Sequence, residues 1–152
     1  MAYKSILVHV DGDAGCAARI RLAAMLASNS GAHLLGAAAT GVSRFLFHSL
    51  PVDHSDPTLA AHQQALRSTA RDALAAFTAY CADSDLASYA GQIIDDDAAP
   101  GLNLLGRTAD LLVLGQPVAA TPALAVDLAG QVVCGCGRAV LLAPTRAAIP
   151  AI

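Results

Sequence analysis

In Ala109-Asp-Leu-Leu-Val-Leu-Gly115, four consecutive apolar residues stop on a glycine. So short a run without alternation reads as a strand of a parallel sheet whose two faces are both covered by helices. The same pattern recurs at Ser5–Val10, His33–Ala38 and Ala139–Ala143. Ala87–Ile94 is a fifth, weaker strand, interrupted by Gly91.

Helical spacing fills the gaps between these runs. Ile20, Ala23, Ala24 and Ala27 fall at i, i+3, i+4 and i+7, with Gly31 as the stop. Asp56-Pro57 opens a long second helix as N-cap and first helical residue. Leu59, Leu66, Ala70, Ala73, Leu74, Phe77 and Cys81 keep its apolar face. A short third helix runs from Ala98 to about Gly106 behind Asp97. The fourth is expected to open at Thr121-Pro122, to bury Ala125, Leu128, Ala129, Val132, Val133 and Cys136, and to end at Gly137.

Strands alternating with helices imply right-handed crossovers. The expected fold is therefore α/β: a single-domain, open, doubly wound, five-stranded parallel sheet with helices on both faces. Its 152 residues suit one domain, and 55% are hydrophobic against 14% charged. A formal net charge of −3 gives no electrostatic footprint for nucleic acid or an anionic membrane. Met1-Ala-Tyr-Lys runs directly into the first strand, so no signal peptide is read. Gly115, Pro117 and Pro122 break the most apolar later stretch, so no membrane span is read either. A cytoplasmic location is expected. Cys16, Cys81, Cys134 and Cys136 have no metal-ligand spacing and are expected to be small buried residues.

Ile6-Leu-Val-His-Val-Asp-Gly12, Ala109-Asp-Leu-Leu-Val-Leu-Gly115 and Arg138-Ala-Val-Leu-Leu-Ala-Pro144 together resemble the universal stress protein family. Element order and length match as well, so nearly the whole chain is covered: residues 1–145 as the domain and 146–152 as a tail. The resemblance implies a sheet ordered 3-2-1-4-5, with strands 1 and 4 adjacent at the topological switch point, where such sheets bind ligands. In nucleotide-binding members the strand-1 aspartate, here Asp11 followed by Gly12, contacts the nucleoside of ATP. A glycine pattern beginning at the position of Gly115 cradles the phosphates there.

Most of that pattern is missing. Val118 stands where the second glycine belongs, and Pro117 removes a backbone donor. Depending on the alignment, Leu128-Ala129 or Val126-Asp127 replaces the closing glycine–hydroxyl pair. In the second case the Asp127 carboxylate faces the phosphates. One like-charge contact at about 4 Å costs about 1 kcal/mol in water and about 4 at an effective dielectric near 20. ATP binding is therefore expected to be weak or absent, with no cofactor required; an adenine nucleotide switch or weak ATPase of the same fold is the alternative.

Other residues read plainly. Asp11-Gly12-Asp13 also suits a strand-end turn that caps the first helix. Asp95-Asp96-Asp97 reads as a solvated turn and cap rather than a cation site, and His9 as a core or wall histidine. No nucleophile is placed beside a base, so no catalytic residue is assigned and no enzyme is expected. The loop Thr40–Ser55 carries Arg44, Phe45, Phe47, His48 and His54, and its role is open. The resemblance implies a homodimer through the last strand, Val140, Leu141 and Leu142, whose uncharged edge is an open pairing template. A stress-response or signalling role with a further protein partner is expected.

Overall fold

The computed structural model describes residues 3–42, 57–116 and 127–144. In chain order the elements are β1 (Ser5–His9), α1 (Cys16–Ser30), β2 (His33–Ala39), α2 (Pro57–Ala82), β3 (Tyr89–Ile94), α3 (Ala98–Gly106), β4 (Leu111–Gly115), α4 (Leu128–Gly135) and β5 (Ala139–Ala143). The five strands form one parallel sheet ordered β3-β2-β1-β4-β5. β1 and β4 pair in the middle, Ile6 with Leu111 through Val8 with Val113. The chain winds outward from this pair in both directions, which places the switch point between them.

Two cores flank the sheet. Ile6, Val8 and Val10 point to the face covered by α1 and α2, where Ile20, Ala23, Ala27, Phe77 and Cys81 are buried. Leu7, Leu112 and Leu114 point to the opposite face, against Leu102 of α3 and Val132 of α4. Alternate burial on both sides explains why the central strands read as unbroken apolar runs. Small residues set the spacing: a Cβ on Gly36 of β2 would lie 2.7 Å from the Phe77 ring, so glycine lets the aromatic approach the sheet closely.

Local signals account for the ends. Gly31 adopts φ 64°, and Ala32 N–H donates to the Ala27 carbonyl while Gly31 N–H donates to Ser28, a Schellman closure of α1. Asp110 accepts from the backbone N–H groups of Lys4 and Ser5 at 2.8 and 3.0 Å, tying the start of β1 to the start of β4.

Four expectations need correction. α4 begins at Leu128, and the expected opening at Thr121-Pro122, with Ala125, lies outside the described residues. Starting there, α4 turns Leu128, Ala129, Val132 and Cys136 inward and leaves Val133 51% exposed. Cys134 is likewise exposed, whereas Cys16, Cys81 and Cys136 are buried. β3 begins at Tyr89 rather than Ala87. No helix among the described residues is long and apolar enough to cross a membrane. The domain limits at residues 145 and 146 and the loop Thr40–Ser55 from residue 43 onward fall outside the described residues.

Candidate functional site

β1 delivers His9, Val10 and Asp11 to the carboxyl end of the sheet beside Gly115, the last residue of β4. Asp11 closes a tight turn: Asp13 N–H donates to its Oδ1 at 3.0 Å. It does not cap α1, whose N-cap is Gly15 with no side-chain hydrogen bond. Asp11 N–H instead points to Cys16 Sγ at 3.4 Å, and burial pushes the Cys16 thiol up.

A cation not anticipated from the sequence completes the site. Arg19 lies on the buried stripe of α1 with Cys16, Ile20, Ala23 and Ala27, and only 3% of it is exposed. Its Nε donates to the His9 carbonyl at 2.7 Å. Nη2 lies 2.7 Å from Asp11 Oδ1, a close ionic contact rather than a well-directed hydrogen bond. Nη1 packs on Gly115, where an added Cβ would come within 2.6 Å of it. One guanidinium therefore touches the ends of both switch-point strands. The signal was in the spacing, because Arg19, Ala23 and Ala27 recur every four residues on the inward face of the helix.

His9 is the other inward polar group. Its Nδ1 lies 3.3 Å from Asp11 Oδ2. Burial lowers its pKa from the ordinary 6.5, opposed by Asp11 and Asp13 and reinforced by Arg19. Toward α2 the same turn opens into a cleft of about 360 Å³ lined by Asp11, Asp13, Cys16, Ile20, Arg21 and Tyr80.

The remaining sequence-derived positions separate. Gly12 is exposed, with open space where a side chain would go. Val118 lies outside the described residues. Asp127 is the N-cap of α4, and its carboxylate accepts the Gly130 N–H at 2.9 Å. Since α4 ends just before β5 begins, this N-terminus faces the carboxyl end of the sheet. The acidic run departs from the expected solvated turn and cap: Asp95 pairs with Arg67 at 3.0 Å, Asp96 is buried, and Asp97 is the N-cap residue of α3 without a side-chain cap hydrogen bond. Among the described residues no three His, Cys, Asp or Glu side chains converge on a point that would hold a metal ion.

The sequence matches no protein-family model and no curated protein. Solved structures do match in shape. The universal stress protein UspA from Lactobacillus plantarum superposes with a TM-score of 0.78 at 20% identity, covering 93% of this chain and 98% of that one. A universal stress protein in complex with cAMP gives 0.62 at 20% identity over 96% and 100% of the two chains. The universal stress protein from Archaeoglobus fulgidus in complex with dAMP gives 0.59 at 16% identity over 93% and 98%. The strand order, the parallel pairing and these superpositions together make this the universal stress protein fold.

Proposed function

We propose that the protein is a non-enzymatic stress-response or signalling protein of the universal stress protein type, acting as a homodimer and binding ATP weakly or not at all. The observation that carries the ATP part is Asp127. The family resemblance puts the phosphates of ATP at the start of α4, and in this chain that helix start already holds a carboxylate on Gly130 N–H. A helix N-terminus attracts anions through its free N–H groups. With an internal carboxylate already on one of them, an incoming phosphate must displace it or lie against it. Either course opposes several phosphate charges with a like charge.

Dimerisation is supported by β5. It pairs with β4 on one side and is the outer strand of the sheet among the described residues. Leu142 on it is exposed, and no charged residue interrupts Ala139–Ala143. Pairing this edge with its twofold copy through Val140, Leu141 and Leu142 covers both at once.

The second reading is an adenine nucleotide switch. It draws on two structures of this fold in complex with cAMP and dAMP, ligands with one phosphate rather than three. Calorimetric titration of ATP and AMP into the purified protein separates the two. The proposed function expects weak heats for both, and tight AMP binding favours the switch.

A further inference from the structure

We infer that Arg19 is a built-in occupant of the switch-point crevice and the residue that excludes a nucleoside from Asp11. Open parallel sheets bind ligands outside the carboxyl ends of their strands, at the point where the strand order reverses. Here that point lies between β1 and β4. The Arg19 guanidinium spans it, with Nε on the His9 carbonyl, Nη2 against Asp11 and Nη1 on Gly115. Each contact uses a group that a ligand in the crevice would otherwise meet.

Gly115 takes on a different meaning in this light. Read from sequence, it admits a phosphate to the backbone. In the structure the space above it belongs to the guanidinium, and an alanine there would collide with Nη1. Asp11 is similarly engaged. Oδ1 serves both Arg19 and the Asp13 N–H, and Oδ2 faces His9. A ribose hydroxyl seeking this carboxylate must compete with the close ionic contact of a buried guanidinium. Arg19 has little room to withdraw, because it is 3% exposed and rooted in the apolar stripe of α1.

The inference rests on the reading that nucleotides bind weakly, but it concerns the nucleoside end of the crevice, whereas Asp127 concerns the phosphate end. Neutral adenosine is therefore the probe, since its affinity does not depend on phosphate repulsion or on the charge lost with arginine. Adenosine is titrated by calorimetry into the unmodified protein, R19A and R19M. The expected result is a gain of at least about tenfold for R19A, and a smaller gain for R19M, which frees Asp11 but keeps the stem in place. Folded R19A that binds adenosine no better than the unmodified protein would overturn the inference, while leaving the weak ATP binding intact. Tight ATP binding by the unmodified protein would overturn that reading and the inference with it. If neither variant folds, nuclear magnetic resonance of the unmodified protein decides. The Arg19 Nε–H, bonded to the His9 carbonyl, should exchange slowly with solvent and persist in millimolar adenosine. Rapid exchange without ligand, or loss of the signal on adding adenosine, would show that the guanidinium does not hold the crevice.

Discussion

Arg19 Nη2 lies 2.7 Å from Asp11 Oδ1, so the helix that follows β1 returns a cation to the acid that ends the strand. Arg19 is buried, whereas the Asp11 side chain keeps 24% exposure. Such a pair is a weak source of net stability, because desolvation offsets much of the attraction. Its main consequence is positional: it joins the turn after β1 to the end of β4.

Gly115→Ala should destabilise the fold by about 1–3 kcal/mol, because its methyl group would press on the guanidinium of a buried arginine. Gly12→Ala, in open space next to Asp11, should change stability by no more than about 0.5 kcal/mol. Urea unfolding of both variants checks the contrast. Equal effects would mean that Nη1 does not pack on Gly115.

Asp127→Ala should cost about 1 kcal/mol through loss of the α4 cap, and Asp127→Ser should recover most of it. Serine retains a capping oxygen without the charge, so it should also strengthen ATP binding. The fuller change Val118→Gly with Val126→Gly and Asp127→Ser should strengthen it further. Denaturation midpoints and calorimetry on the same preparations test stability and binding together.

The sheet, its parallel direction and the helix order were legible because burial on both faces leaves unbroken apolar runs such as Leu111–Leu114. The start of α4 was not, because Thr121-Pro122 and Asp127 both carry N-terminal signals; Asp127 is bonded to the helix, and Thr121-Pro122 lie outside the described residues. Asp11 and Gly115 were legible as strand ends. Arg19 was passed over because a charged residue in an alanine-rich helix reads as solvent-facing, and only its four-residue spacing from Ala23 and Ala27 places it inward. Its partners, a backbone carbonyl ten residues earlier and a glycine at the end of another strand, carry no sequence pattern.

Stability should fall as pH drops below about 6.5, because of His9. Its folded pKa is lowered by burial, so between that value and 6.5 the unfolded chain binds the proton and the folded one does not. The contribution is therefore complete above 6.5 and is lost as pH falls toward the folded pKa. The Asp110 carboxyl, held below its usual range by the Lys4 and Ser5 N–H groups, loses its contribution only at more acid pH. Urea midpoints between pH 7.5 and 5.5 should decline less steeply in His9→Gln than in the unmodified protein. Parallel declines would contradict the assignment.

Leu141→Lys and Val140→Pro should each shift the protein toward monomer by placing a charge, or removing a donor, on the β5 edge. Light scattering should give about twice 15.3 kDa for the unmodified protein and a lower mass for the variants. A mass of 15.3 kDa for the unmodified chain would refute the dimer.

The most direct test of a fold that retains its crevice but not its hold on ATP is a calorimetric titration of ATP into the unmodified protein, with no nucleotide carried through purification. The account predicts a dissociation constant above about 100 µM. A low-micromolar constant, or ATP copurifying with the protein, would contradict it.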